Sequence, residues 1–302
     1  MRVALTAILS ALIVAGLASA QSRPDAYVIP GDRVFPEGVA FQPQTGFFYV
    51  TSTGDGTVFR GHVREDAAET FLPAGGDGRT TAIGLEVDGD RLFVAGGPTG
   101  LVTVYDTDTR GLLGRFETGP GGFLNDIATA RNGDAFVTDS LRPVLWRVSA
   151  DLSGIEPWLD FTGTPFQYLP GFNANGIVAT PDGKYLIVSQ SNANNAQKLF
   201  RIDLDTKEVV EIVTTEPVGG DGLQLQGRRL FAVAGGAIVK VKLSGDFLEG
   251  RVESRTTDPS WLSPTTNAIA RGRMLLVNSQ FARRNAGLPP ILPFTVSNLE
   301  IP

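Results

Sequence analysis

Apolar residues in this chain come in short bursts and in alternation, and the bursts repeat. The stretch GFNANGIVATPDGKYLIVSQS, residues 171 to 191, sets the pattern. It reads as a polar loop ending at Asn175-Gly176, a strand from Ile177 to Ala179, a Pro181-Asp182-Gly183 turn and a second strand from Tyr185 to Val188. β-Branched and aromatic residues favour the extended arms, and glycine supplies the positive φ that such a turn demands. The same order of loop, strand, turn and strand begins at Phe35, Thr80, Phe123, Gly219 and Ser263. Anchored on Gly38, Gly84, Asp126, Gly176, Gly222 and Asn267, the copies lie 42 to 50 residues apart. Helical spacing of apolar residues is almost absent after the first 20 positions, so the chain reads as all-β.

Each hairpin is followed by further candidate strands, such as Leu101 to Asp106 with Gly111 to Glu117, and Ala237 to Leu243 with Gly250 to Thr256. Repeats of this length and composition predict a six-bladed β-propeller with four strands to a blade. The last repeat, with Met274 to Val277 and Ile291 to Val296, is one strand short, and Ala26 to Ile29 is placed to supply its outermost strand. That pairing would close the ring and remove exposed sheet edges.

Residues 1–20 break the pattern with a Met1-Arg2 head, an apolar run from Val3 to Leu17 and Ala18-Ser19-Ala20. This is the form of a signal peptide cleaved after Ala20, which predicts a secreted or periplasmic protein whose single propeller domain is residues 21–302. No later segment is long and apolar enough to suggest a membrane span in the mature chain. A hydrophobic content of 42% suffices for a full core, and the absence of cysteine removes disulfides and thiolate chemistry. The net charge is −6 and the basic residues are scattered, unlike the basic stripe of a nucleic-acid binder.

In a propeller the innermost strands surround the channel, so the residues that lead into them converge. Four repeats put an oxygen-bearing side chain at nearly the same place: Glu37, Asn125, Asn175 and Asp221. Taken singly, Asn-Gly and Asp-Gly are ordinary turns. Together, two carboxylates and two amides with no sulfur and no imidazole are the donor set of a hard cation, Ca²⁺, with Mg²⁺ as the alternative. Without a cation the acids would repel and their pKa values would rise. His62 is expected on the third strand of the first repeat, away from the mouth, and Trp146, Trp158 and Trp261 read as blade packing. Asp139, Ser140, Asn278 and Gln280 read as turn and blade-edge residues.

PEGVAF, NDIA followed by GDAFVTDS, FNANGIVATPDGKYLIVSQS and GGDGL resemble the six-bladed calcium-dependent propeller hydrolases of the SMP-30, gluconolactonase and luciferin-regenerating enzyme group, with its paraoxonase-like and phosphotriesterase-type relatives. FVTDSLRPVLWRV and the PTT sequence of the last repeat are similar to exported bacterial proteins, some of which carry the label superoxide dismutase. A redox metal commonly takes histidine or cysteine, and this chain has His62 alone and no cysteine. The resemblance implies that Glu37, Asn175 and Asp221 hold the metal, with Asn125 a ligand or a substrate contact. It implies Asp221 as base or nucleophile and Asp126 as the neighbouring acid. The histidines used by the paraoxonase-like and phosphotriesterase-type relatives are absent. The expectation is therefore a calcium-dependent hydrolase of a small lactone or ester, with Asp221 or Asp126 taking a proton from water and Asn125 and Asn175 orienting substrate or metal. The alternative is a non-enzymatic ligand- or protein-binding propeller braced by a structural cation.

Overall fold

The computed structural model describes residues 23–192 and 196–302. The expected signal peptide, residues 1–20, lies outside the described residues. After β1 (Ala26–Ile29), the first antiparallel sheet comprises β2 to β5 (Pro36–Phe41, Phe47–Ser52, Val58–His62, Glu69–Leu72). The second comprises β6 to β9 (Leu85–Asp88, Arg91–Ala95, Leu101–Asp106, Leu112–Glu117). The third comprises β10 to β13 (Leu124–Thr129, Ala135–Asp139, Val144–Val148, Ile155–Asp160). Strands β14 to β17 (Ala174–Ala179, Tyr185–Asn192, Ala196–Asp203, Val209–Thr214) and β18 to β21 (Leu223–Gln226, Arg229–Ala234, Ala237–Leu243, Glu249–Thr256) form one eight-stranded sheet. Then come β22 and β23 (Pro264–Ala270, Arg273–Asn278), the short helix α1 (Phe281–Asn285) and β24 (Phe294–Glu300). β1 pairs with β24 and completes a last four-stranded sheet.

Burial explains the patterns. Second strands such as β7 and β11 are covered on both faces, so their apolar residues are consecutive, Leu92 to Ala95 and Ala135 to Val137, rather than alternating. The outer strand β9 has no buried residue, and both Leu112 and Leu113 are exposed. The Pro181-Asp182-Gly183 turn forms as the sequence expects, with Gly183 at φ 74° and its N–H donating to Thr180 O at 2.9 Å.

Six strands, β2, β6, β10, β14, β18 and β22, line a channel of about 360 Å³, and neighbours around it touch in turn until β22 meets β2. The architecture is an all-β propeller. Where six separate blades are expected, the structure has four separate four-stranded sheets and the eight-stranded one. The outer strands β17 and β21 meet in parallel over only two residue pairs, Val213 with Glu249 and Thr214 with Gly250. β24 begins later than the expected Ile291, because both backbone polar groups of Ile291 are held by the Gln280 amide at 2.7 Å.

Every neighbouring pair of inner strands is tied by a hydrogen bond close to the axis. Thr51 Oγ1 donates to Ile83 O at 2.5 Å, Thr138 Oγ1 to Asn175 O at 2.8 Å and Ser189 Oγ to Gly220 O at 2.5 Å. Backbone donors do the same work elsewhere: Gly84 N to Asn125 O at 2.8 Å and Gly222 N to Thr265 O at 2.9 Å. Thr265 and Thr266 close the circle by donating to Glu37 O at 2.8 and 2.6 Å. So close an approach explains the recurrent glycine: a Cβ on Gly38 would fall 2.6 Å from Ile83 O, and one on Gly176 2.7 Å from Asp221 O.

Ring closure depends on β1. Tyr27 is 1% exposed, packs against Phe48 with the two rings tilted at 54° and their centres 4.7 Å apart, and donates its hydroxyl to Val63 O at 3.1 Å. Tyr27→Ala is expected to cost about 3 kcal/mol or more, as for other buried aromatics truncated to alanine. Tyr27→Phe should cost only about 1 kcal/mol, the net worth of one hydrogen bond. Denaturant titration checks both values; an equal loss in the two variants would show that ring packing at the seam contributes nothing.

Candidate metal centre at the channel mouth

The four oxygen-bearing residues come from segments far apart in sequence and line one cavity of about 620 Å³. A β-bulge at the same place in β2, β10 and β14 exposes them there. Two residues oppose one across the hairpin at Glu37-Gly38, Asn125-Asp126 and Asn175-Gly176. The bulge lets the first residue of each pair turn toward the mouth while the strand continues down the channel. Asp221 reaches the same cavity from the loop before β18, where its N–H is held by Val233 O at 2.8 Å.

Their side chains are fixed by few partners. Asn125 donates Nδ2 to Ser140 Oγ at 2.9 Å, and Ser140 in turn donates to Ala174 O at 2.6 Å. Asn175 donates Nδ2 to Asp221 Oδ1 at 2.8 Å. Two oxygens are left over, Glu37 Oε2 and Asn175 Oδ1, both buried and without a hydrogen-bond partner. Such orphans are costly in a folded protein.

Burial dominates the electrostatics. It raises the Glu37 carboxyl well above the usual carboxylate range, and the negative charges of Asp221 and Asp126 push it further. Burial lifts Asp221 to about 6, moderated by the hydrogen bond from Asn175. Asp126 is lifted to about 7, chiefly by burial, against the stabilising N–H groups of Ile127 and Ile177. Glu86, which faces the same channel, reaches about 8 through burial and the proximity of Asp126.

Asp126 stands apart from the mouth set. It lines the channel beneath, where its oxygens accept Ile127 N at 2.9 Å and Ile177 N at 3.3 Å. His62 lies at the end of β4 against Phe47. Trp158 packs on Phe136 at 4.8 Å, and the Trp146 indole reaches Asp139 at 3.3 Å. Asp139 is a fully buried structural acid, paired with Arg142 at 2.7 Å. The sequence reading treated Ser140 as an edge residue and missed that it aims Asn125. The short helix α1, which no sequence pattern announces, brings Phe281, Arg284 and Asn285 into the cavity wall.

Among the described residues no three of His, Cys, Asp and Glu form a metal-binding group. A cation at the mouth would rest on two carboxylates and two amides. The fit is one of chemistry: hard oxygen donors, two of them orphaned, and two acids whose repulsion a divalent charge would cancel.

Solved structures carry the same architecture. Over 92% of this chain and 97% of its own, the major allergen Mala s 1 of Malassezia sympodialis superposes with a TM-score of 0.70 at 14% identity. A calcium-binding protein, regucalcin from Agrobacterium tumefaciens, matches with a TM-score of 0.62 at 16% identity, covering 91% of this chain and 96% of that one. A gluconolactonase from Xanthomonas campestris matches with 0.64 at 15% identity, covering 92% and 99%. The likeness is one of fold. No family model and no curated protein matches the sequence.

Acids with raised pKa values keep protons that the unfolded chain would release. Their stabilising share is present below about pH 4 and is lost as pH rises through the values near 6, 7 and 8 for Asp221, Asp126 and Glu86. In chelator, the melting temperature is expected to fall from about pH 5 to about pH 8. Added Ca²⁺ should restore it, and by more at the alkaline end, where fewer protons compete for the carboxylates. Thermal melts across that range check this; a chelated protein that gains stability with pH, or one indifferent to Ca²⁺ at pH 8, would contradict it.

Proposed function

We propose that this chain is a calcium-dependent hydrolase of a small lactone or ester. The observation that carries the reading is the pair of orphaned oxygens, Glu37 Oε2 and Asn175 Oδ1, in a cavity shared with Asn125 and Asp221. On this reading the eight-stranded sheet counts as two blades whose outer strands touch, so six blades surround the channel. Glu37, Asn125, Asn175 and Asp221 would hold Ca²⁺, with Mg²⁺ as the alternative. Such a cation, when bound, supplies Lewis-acid polarisation of a carbonyl.

The chain's own groups do the rest. Asp221, raised to about 6, is mostly ionised at neutral pH and accepts a proton from a water held in the cavity. The water oxygen forms its bond to the carbonyl carbon, the ring or ester C–O bond breaks, and the leaving oxygen takes the proton back. Asn125, oriented by Ser140, and Asn175, oriented by Asp221, direct their amides at the substrate carbonyl or the cation. Asp126 is the second candidate base, held in the channel below. Two structural neighbours, a calcium-binding protein and a gluconolactonase, support the reading.

The competing reading is a binding propeller in which a cation only braces the ring. The carbonyls of Glu37 and Asn175 already anchor hydrogen bonds from neighbouring inner strands, so a metal on their side chains would stiffen the same joints. Export to periplasm or medium is part of the proposal and rests on residues 1–20, with a mature form beginning at Gln21 as its mark. No helix among the described residues is long and apolar enough to cross a membrane.

Asp221→Asn separates these readings. Asn can still accept the hydrogen bond from Asn175 and offer an oxygen, but it cannot hold the proton. With Ca²⁺ and a panel of aldonolactones and aryl esters, turnover is expected to fall by about 100-fold or more, while calorimetric Ca²⁺ affinity changes much less. Full turnover in this variant would remove Asp221 as base. Ca²⁺ binding by the wild type with no turnover of any ester or lactone would support the brace.

A further inference from the structure

One cation of the mouth has no acid of its own. Arg284, on α1, lines the cavity with Glu37 and Asp221, yet among the described residues no carboxylate lies within ion-pair distance of it. Its pKa is lowered by burial, and no neighbouring charge opposes that effect. Some arginines elsewhere have a carboxylate partner, among them Arg60 with Glu69 at 2.8 Å and Arg255 with Glu216 at 3.1 Å; what sets Arg284 apart is its place in the cavity wall beside two acids it does not reach.

Arg284 is nevertheless held in place. Its guanidinium carbon sits 4.3 Å from the Phe281 ring centre and 5.4 Å from that of Phe35. Nη1 donates to Thr53 Oγ1 at 2.8 Å, and that hydroxyl is itself committed to Phe35 O at 2.8 Å. This is the only side-chain hydrogen bond of the guanidinium among the described residues. A planar group with five N–H donors, oriented by two rings and one hydroxyl, is prepared for a bidentate acceptor.

The wall beside it is apolar. Ile83, Pro98, Phe123, Phe172 and Phe281 line the same cavity. Phe123 and Phe172 meet edge to face at 4.8 Å, and Phe172 is still 45% exposed. The mouth thus has an oxygen-rich floor, an aromatic wall and a single unpaired guanidinium.

We propose that Arg284 is a specificity-determining residue of the mouth, and that the ligand admitted there carries a carboxylate beside an apolar body. The carboxylate seats on Arg284, the apolar body lies along Phe123, Phe172 and Phe281, and the reacting carbonyl is left facing the floor. The inference rests on the mouth being the substrate site, as proposed above, but it concerns binding and is tested without turnover. In reaction terms the substrate is an acidic ester or lactone rather than a neutral polyol lactone.

The test uses two probes of equal shape, 4-phenylbutyrate and its neutral amide, titrated by calorimetry against wild type and Arg284→Gln, each with Ca²⁺ and with chelator. Arg284 is on the surface of a short helix, so the variant should melt with the wild type. Wild type is expected to bind the carboxylate about tenfold or more tightly than the amide, with and without Ca²⁺. In Arg284→Gln the preference should vanish while amide affinity is retained. Equal affinities in wild type would overturn the proposal, as would failure of both probes to bind. So would a preference that survives in Arg284→Gln or disappears on chelation, since either assigns the carboxylate to another site. If the preference follows Arg284 but no ester is hydrolysed, the recognition stands and the hydrolase reading falls.

Discussion

The structure depends on the circle of hydrogen bonds that ties each inner strand to the next. Thr51, Thr138, Ser189, Thr265 and Thr266 supply hydroxyl donors, and Gly84 and Gly222 supply backbone ones. These contacts bring neighbouring backbones so near the axis that Gly38 and Gly176 have no room for a Cβ. The bulges that turn Glu37, Asn125 and Asn175 toward the mouth oppose Thr51, Thr138 and Ser189, three of those donors. Site and scaffold are therefore the same construction: the carbonyls of Glu37, Asn125 and Asn175 hold the ring while their side chains face the cavity.

That economy has an electrostatic cost. Four acids, Glu37, Glu86, Asp126 and Asp221, are gathered around a narrow channel, and burial raises the pKa of each. None of them has an arginine or lysine in ion-pair range among the described residues, whereas the buried Asp139 on the neighbouring strand has Arg142. Buried charges are ordinarily paired or absent; under the function proposed above, the acids at the mouth and the two unsatisfied oxygens receive a cation that arrives from outside. Structural and functional demands meet at the same residues.

Much of this was legible in the sequence because it repeats. A hairpin recurring every 42 to 50 residues carries its turn, its doubly covered second strand and its converging first residue with it, so the propeller, the closing role of Ala26 to Ile29 and the gathering of Glu37, Asn125, Asn175 and Asp221 could be read. What does not repeat could not. The parallel contact of Val213 and Thr214 with Glu249 and Gly250 depends on how two outer edges happen to meet. Helix α1 is five residues long, too short to leave a periodic signal, and nothing in the local pattern places Arg284 at the mouth. Ser140 aims Asn125 across a hairpin, a role no local pattern announces. The separation of Asp126 from Asn125, adjacent in sequence but facing different cavities, follows from the bulge and was equally out of sight.

The central claim is that the mouth is a cation site built from those four side chains. A crystal structure grown with Ca²⁺ tests it most directly through the anomalous signal of the ion. The account predicts one strong peak at the mouth, with Glu37 Oε2 and Asn175 Oδ1 among its ligands at about 2.3–2.6 Å and Asp221 and Asn125 completing the protein share. An empty mouth at saturating Ca²⁺, or an ion bound elsewhere while those two oxygens remain unpaired, would contradict it.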